Sequence, residues 1–485
     1  MNRNRFCSHL LLAIAAPLTA SCASTASDAV PRSAGIADEY SPSFQRSFAT
    51  VVPAPPVNRW WATLDDPTLT SLIDAGLANS PEVSIALARV DRSLAFAAEQ
   101  RANRMPTVSG SAIAIESPIS RDRPFAGNQQ GVETTGSDND YYNLGINTSW
   151  EVDLFGARAN NARAALAETE VARAELADVH VSLAAQIATA YVAYRRVQNE
   201  TATLQLVLDL QQEKLSLQRT RVQYGTASDA ILHQMNGEIA QVKATLSAAE
   251  AEKIATADQI ALLTGNVPGS LDVDLMPVRS IPLPPIEVSV GNPASLLQRR
   301  PDIRSAESAL QAANARIGVA NAQRFPSVSF FGVLGLGGSE IGDTLDTGNL
   351  SALLLPRINW SFLDFGRVNA RIAQADSGAV EAAANYDRAV LNALSEAEQS
   401  LTRFGGQRQR VLELAVSSKA ARDAEELVAV RLRGGTATRI SVIDSTLQRL
   451  EAQTAQLTAT ADMVTSFVSV QKSLGLGWSE PDEGG

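Results

Sequence analysis

"YNLGINTSWEVDL", Tyr142 to Leu154, is the stretch whose pattern decides the fold. Tyr142, Leu144, Ile146, Thr148, Trp150, Val152 and Leu154 fall on one side; Asn143, Gly145, Asn147, Ser149, Glu151 and Asp153 fall on the other. Alternation of period two predicts a strand with one apolar and one polar face. The run is longer than the roughly 9–11 residues that cross a bilayer as a tilted strand. Phe155 and Gly156 follow, and then no Gly or Pro occurs from Ala157 to Tyr224. A helix over that Ala-, Leu- and Glu-rich stretch would be about 100 Å long at 1.5 Å per residue. Within it, Leu208, Leu215 and Val222 recur at sevens, as do Leu210 and Leu217. That is the spacing of a coiled-coil seam.

The same transition is written twice. "WEVDLFGAR" (Trp150 to Arg158) returns as "WSFLDFGR" (Trp360 to Arg367), with Trp150 on Trp360 and Gly156 on Gly366, an offset of 210. The offset holds at "GTA" (Gly225 and Gly435) and at Gly265 and Gly475. Upstream, Asn79 to Ser109 aligns without a gap on Arg299 to Ser329, with Pro81 on Pro301 and Pro106 on Pro326, an offset of 220. The difference falls in "SRDRPFAGNQQGVETTGSDNDYY", whose composition is that of a loop. Register kept at separate landmarks identifies an internal duplication. Each copy predicts a helix opened by Pro, a strand, a loop, a second strand, the Phe-Gly joint, a very long helix, a Gly-Thr turn and a closing helix. In the second copy, Val328, Phe330, Leu334 and Leu336 mark one strand, and Ile358, Trp360 and Phe362 mark the next. Gly405-Gly406 interrupts the second long helix, where a kink or local unwinding is expected.

Four strands cannot close a barrel, which takes about eight or more. Strands facing lipid must nevertheless close, because an open edge in hydrocarbon leaves backbone groups unpaired. The reading that satisfies both is an oligomer whose chains share one barrel; three chains would supply twelve strands.

The N-terminus predicts export. Arg3 and Arg5 precede an apolar run from Leu10 to Ala20, the form of a secretory signal over 1–21. "LTASC" ending at Cys22 resembles a bacterial lipobox with Thr19 where Leu is usual, so acylation of Cys22 is expected, ordinary cleavage nearby being the alternative. Cys7 lies within the signal, so with Cys22 acylated the mature chain would hold no disulfide or free thiol. No later stretch reaches the roughly eighteen consecutive apolar residues of a spanning helix.

The whole chain has 41 basic and 52 acidic residues, −11, and no basic cluster, which argues against nucleic-acid binding. No phosphate loop of the G-x-x-x-x-G-K type occurs. The three His, at 9, 180 and 233, are too scattered for a metal site, and no catalytic constellation is recognisable. The expectation is no enzyme, no cofactor and no metal.

The residues resemble a known family, the TolC-like outer-membrane factors in their OprM/NodT lipoprotein branch. "LLQRRPDI" (Leu296 to Ile303), "RFPSVS", the paired "FG" joints, "LLTG", "SLGLGW" and Trp60-Trp61 carry the resemblance, which covers nearly the whole mature chain. It implies a mixed α and β membrane protein: a homotrimer with a shared twelve-stranded β-barrel in the outer membrane, four strands per chain, continued by a long α-helical barrel in the periplasm. The expected layout is signal peptide 1–21, lipidated tether 22–65, repeat one 66–265, Pro-rich equatorial linker 266–292, repeat two 293–475 and tail 476–485. The expected function is the passive exit duct of a tripartite efflux system. Its expected partners are a periplasmic adaptor, an inner-membrane pump of the resistance-nodulation-division type and outer-membrane lipid. The alternatives are a duct for an ABC-driven secretion system and a trimeric periplasmic scaffold without a pore.

Specific positions follow. The turns at Tyr224, Gly225 and Thr226 and at Gly434, Gly435 and Thr436 reverse the chain, with Ser228 or Thr438 able to cap the next helix. By resemblance these are periplasmic tips where adaptor hairpins dock. Also by resemblance, Asp444 is a periplasmic gate acid, a ring of three under threefold symmetry that would attract cations. The family's usual second acid is Ser441 here. Asp229 and Arg433 are secondary gate candidates. Trp150 and Trp360 are read as aromatics at the membrane interface, and Gly156 and Gly366 as strand-to-helix joints.

Overall fold

The computed structural model describes residues 51–52, 58–115, 140–271, 275–289 and 299–478. The expected signal, Cys22 and most of the expected tether lie outside the described residues, as does most of the loop that absorbs the change of offset, whose last two residues open β3.

The duplicated grammar is the order of elements. In the first repeat these are α2 (Pro81–Ala102), β2 (Thr107–Ile115), β3 (Tyr141–Val152), α3 (Ala157–Gln223) and α4 (Ala230–Leu263). The second repeats them as α5 (Pro301–Ala322), β5 (Ser327–Gly338), β6 (Leu350–Asn359), α6 (Arg367–Arg433) and α7 (Arg439–Ser473). Both long helices have 67 residues. Before the first repeat come a 3-10 turn (Trp60–Leu64) and α1 (Pro67–Asn79). Between the repeats, β4 (Val288–Ser289) pairs parallel with β1 (Val51–Val52), a contact invisible to periodicity because each partner is two residues long.

The chain forms two compact units, each drawing on both repeats. One, built from 94–168 and 309–384, holds a four-stranded antiparallel sheet in the order β2-β3-β5-β6. Its register sets Leu144 beside Leu336, Ile146 beside Leu334 and Trp150 beside Phe330, so the apolar face runs on from strand to strand. That face points outward: Leu144 and Ile146 are each 50% exposed and Leu354 is 65% exposed. On the other face Asn143 is 6% exposed, seated against Gly335 and Gly337 where a Cβ would strike it. Asn147 donates to Ser111 Oγ at 2.9 Å. Apolar out and polar in inverts a soluble sheet and matches a wall between lipid and water. The polar face has exceptions: Ile113 and Ile115 on β2, Phe331 and Val333 on β5, and Leu353 and Leu355 on β6.

Two strand limits differ from the alternating pattern. β3 stops at Val152 and β6 at Asn359. Leu154, Trp360 and Phe362 therefore continue the alternation in sequence but lie beyond the ladder. The ladder ends where its partner begins: Val152 pairs with Val328 and Asn359 with Ser327, the first residue of β5, which follows Pro326.

The second unit, built from 32–93, 169–308 and 385–485 in its described parts, carries the main core. Trp60, Trp61, Leu69, Ile73, Ile187, Tyr191 and Phe467 meet there. Trp60 and Trp61 lie within the segment expected as a tether, yet the 3-10 turn buries both. Asp66 caps α1 by accepting from Thr68 N and Leu69 N and takes the Tyr191 hydroxyl at 2.7 Å. Burial and that bond push the Tyr191 hydroxyl up to about 12. Arg195 is fully buried and donates to Gln198 Oε1 and to the carbonyls of Leu275 and Pro277, tying the linker after α4 to α3. Among the described helices α3 alone has a window long and apolar enough to span a bilayer, and 56% of that window is buried inside the protein.

Local unwinding at Gly405-Gly406 is absent: α6 runs through both residues as continuous helix. Just before them, Leu401 and Phe404 are buried, and Phe404 lies against Phe467 at 6.0 Å. That packing offsets the roughly 1 kcal/mol that each helical Gly costs.

Candidate functional site

At the strand-to-helix joints the backbone leaves the sheet through glycine. Gly156 has φ +78° and Gly366 φ +88°. The left-handed region costs an L-residue roughly 1–2 kcal/mol, and a Cβ at Gly366 would touch nothing, so conformation rather than space requires Gly. Each long helix is then capped by an Asp. Asp153 accepts from Arg158 N (3.1 Å) and Ala159 N (2.7 Å), and Asp364 from Gly366 N (3.0 Å) and Val368 N (2.6 Å). The cap has slipped one place between the copies, yet Arg158 and Val368, which are equivalent, are capped in both. These bonds hold the Asp364 carboxyl below the usual range.

Trp150 and Trp360 each make a hydrogen bond at this level. Each indole donates to a carbonyl, Trp150 to Arg104 and Trp360 to Arg324, both at 3.1 Å. Those carbonyls are equivalent under the 220 offset, so each Trp fastens the joint to the end of the repeat's first helix. Pattern reading missed this partner, whose only signal is the paired Arg before the aligned Pro residues.

The tips are duplicated in detail. Gly225 N donates to Val222 O (2.9 Å) and Thr226 N to Arg221 O (2.8 Å); Gly435 N donates to Leu432 O (3.0 Å) and Thr436 N to Arg431 O (2.9 Å). These are Schellman closures with Gly at φ +69° and +71°. Each Thr hydroxyl bonds the same carbonyl as its own N–H. Thr438 caps α7 by accepting from Ser441 N. In the first repeat Asp229 occupies the cap position without a capping bond from its side chain, while Ser228 Oγ accepts from Ala230 N at 3.3 Å. Tyr224, Asp229 and Arg433 are exposed. Behind the first tip, Leu208 and Leu215 pack on Met235 and Ile239 of α4, the seam that the spacing of seven predicts.

Asp444 is an ion-paired acid. Lys214 Nζ lies 2.7 Å from its carboxylate, linking α3 to α7. One residue earlier on α3, Glu213 receives both arms of Arg439, at 2.6 and 2.8 Å. The guanidinium holds the Glu213 carboxyl below its ordinary range. The structure thus brings Asp444 together with Lys214, Glu213 and Arg439, none of which the sequence singled out; nothing in either sequence segment signals a partner more than two hundred residues away. Among the described residues no group of His, Cys, Asp and Glu is placed to hold a metal.

With this geometry in hand, the kinship of the chain is direct. The family model for outer membrane efflux proteins matches residues 72–266 and 292–476, one match per repeat. The pyoverdine export outer membrane protein OpmQ of Pseudomonas aeruginosa is 28% identical over 430 residues, covering 88% of this chain and 89% of OpmQ. The solvent efflux pump outer membrane protein SrpC of Pseudomonas putida is 28% identical over 439 residues, covering 90% of each. The solved structure of the outer-membrane channel OprN is 30% identical, with a TM-score of 0.80 over 91% of this chain and 97% of OprN. The chain belongs to the outer membrane efflux protein family, the TolC/OprM/NodT type of outer-membrane factor, and is an outer-membrane protein.

Proposed function

We propose that this protein is the passive exit duct of a tripartite efflux system, working as a homotrimer whose chains share one twelve-stranded barrel. The observation that carries the reading is the sheet: apolar outward, largely polar inward, with β2 and β6 as edges that have no strand partner among the described residues. A periplasmic scaffold without a pore has no use for such a face, which in water would cost about 25 cal/mol per Å² of apolar surface. Small molecules are the cargo under this reading, which the pyoverdine and solvents in the relatives' names support.

The partners under this reading are a periplasmic adaptor and an inner-membrane pump of the resistance-nodulation-division type. Outer-membrane lipid surrounds the barrel and receives an acyl chain on Cys22. The adaptor docks at the tips, Tyr224 to Thr226 and Gly434 to Thr436. Asp444 guards the periplasmic entrance, with Asp229 and Arg433 beside it, and Lys214 holds Asp444 until the gate opens. Trp150 and Trp360 mark the inner border of the bilayer.

Deletion of the gene, complemented by wild type or by Asp444→Asn, tests this in cells. Deletion should raise susceptibility to at least one class among drugs, dyes and metals, and wild type should restore it. Asp444→Asn should restore efflux and also admit large antibiotics. No altered susceptibility on deletion would remove the efflux reading, and unchanged permeability in Asp444→Asn would remove the gate.

A further inference from the structure

On the inward face of the sheet there is one place where the two repeats part in chemistry. In the first repeat Ser109 lies opposite Asn147, Ser111 opposite Gly145 and Ile113 opposite Asn143. The offsets of 220 and 210 carry these pairs onto Ser329 with Arg357, Phe331 with Leu355 and Val333 with Leu353, which are opposite one another in the same way. Residues directly opposite share a face, so each set of six is one patch, two strands wide.

The first patch satisfies itself. Asn147 donates to Ser111 Oγ, and Asn143 is buried against Gly335 and Gly337. The second patch holds four apolar side chains and a cation at the same places. Phe331 is 44% exposed, Leu353 53% and Leu355 47%, with Val333 half-buried beside them. Arg357 is exposed and has no ion pair, hydrogen bond or ring contact among the described residues. It stands two residues from Leu355 on the same face, about 7 Å along the strand. It is also diagonal to Phe331, a separation that long side chains bridge. Around the patch the inward face is polar: Ser351 and Asn359 lie along β6, and Asn147 and Ser149 lie on β3. Left in water, such a patch costs about 25 cal/mol per Å² of apolar surface, a cost that the first repeat avoids with Ser111 and Asn143. An exposed apolar patch rimmed by polar residues is the form of a binding surface. The free guanidinium fixes the sign of the charge its ligand carries.

We propose that this patch is a binding site for amphipathic organic anions. An aromatic or aliphatic body lies on Phe331, Val333, Leu353 and Leu355, and its carboxylate pairs with Arg357. This rests on the duct reading above and adds to it a class of cargo and the residues that meet it. The site is shallow and open to water, so a ligand pauses on the wall without being trapped, as passage requires. Charge complementarity excludes the matched cation: the one unpaired charge at the patch is positive, and a cationic ligand gains the apolar contact only against that repulsion.

The test is block of current by two probes of similar shape and opposite charge, naphthoate and naphthylmethylammonium, on purified full-length protein in planar lipid bilayers. Naphthoate should half-block wild type at about one tenth of the concentration that the cation needs. Arg357→Gln should raise the half-blocking concentration of naphthoate about tenfold without raising that of the cation. Phe331→Ser combined with Leu353→Asn, which installs the first repeat's residues, should raise it about tenfold for both probes. Each variant is sized in detergent to show that it assembles, and the wild-type comparison of the two probes needs no variant. Equal block by both probes, or block in the assembled variants the same as in wild type, would overturn the site while leaving the duct standing. Block by neither probe in a conducting channel would assign the patch to contact with another copy of the chain and would equally overturn the site. Protein that carries no current would overturn the duct and the site together.

Discussion

Two joints in the second unit share a backbone and differ in chemistry. At the end of the first repeat, α4 closes on Gly265, with Gly265 N bonded to Leu262 O and Asn266 N to Ala261 O. At the end of the second, α7 closes on Gly475, with Gly475 N bonded to Lys472 O and Leu476 N to Gln471 O. Both glycines have φ near +70°, +75° and +70°, and each abuts the residues just before a helix that starts with Pro. By the repeat offsets, the first joint carries Ser80, Gln186 and Ala190 at the places that line the second. The equivalent positions in the second are Arg300, Glu396 and Ser400. Arg300, its side chain 9% exposed, donates to Ser473 O, to both oxygens of Asp302 and to Glu396. Beside it lies a cavity of about 310 Å³, lined also by Asp178, Arg403 and Lys472. The difference teaches that the turn, imposed by Gly and Pro, survived duplication unchanged, while the interior it encloses was free to become charged.

Substitutions at the shared glycines should break the comparison most strongly. A Cβ at Gly265 would sit 2.5 Å from the Asn79 carbonyl oxygen, whereas at Gly475 the nearest atom is Arg300 Cα at 2.9 Å. Gly265→Ala should therefore cost about 3 kcal/mol or more, adding a backbone collision to left-handed strain. Gly475→Ala should cost about 1–2 kcal/mol, the strain with a smaller shift. Unfolding midpoints in detergent measure both, and equal losses would show that the closer backbone approach at the first joint has no energetic consequence.

The charged interior should show itself in a smaller, pH-dependent effect. Burial pushes the Asp178 carboxyl up, with Asp302 adding to the rise and Lys472 and Arg300 opposing it. The folded protein thus holds that proton more tightly than the unfolded chain. The stability linked to it is full below the ordinary carboxylate range and is lost as pH rises through the raised value. Asp178→Asn should accordingly raise the midpoint slightly at pH 7, and the gain should vanish as the pH falls to about 4. Because the carboxyl is only partly buried, this is the smallest of the effects. A gain that persists unchanged at acid pH would assign the effect to packing rather than to charge.

The fold was legible wherever a pattern is local. Period-two alternation found β3, the run without Gly or Pro found α3, and register between copies found the joints and tips. Reading failed where one residue type serves two ends. Asp153 continues the alternation of β3 and at the same time caps α3, so the strand seemed to run on to Leu154. Trp360 likewise extends the pattern of β6 but spends its indole N–H on Arg324 O. Gly405-Gly406 carries a local signal for unwinding that packing of Leu401 and Phe404, against partners such as Phe467, overrides. The partners of Asp444 were hidden for another reason: an ion pair between helices more than two hundred residues apart leaves no mark in either segment. Arg300 sits inside "LLQRRPDI", which drew notice as a motif, but that it is a buried anchor depends on α6 and α7, which the motif does not contain.

The central claim is that the inverted sheet is one third of a conducting barrel. The most direct measurement is the conductance of detergent-purified protein in planar lipid bilayers, with the oligomer sized in the same preparation. The account predicts trimers that insert and give discrete, reproducible conductance steps, larger in Asp444→Asn than in wild type. Pure, folded protein that is monomeric, or trimeric and electrically silent in both forms, would contradict it.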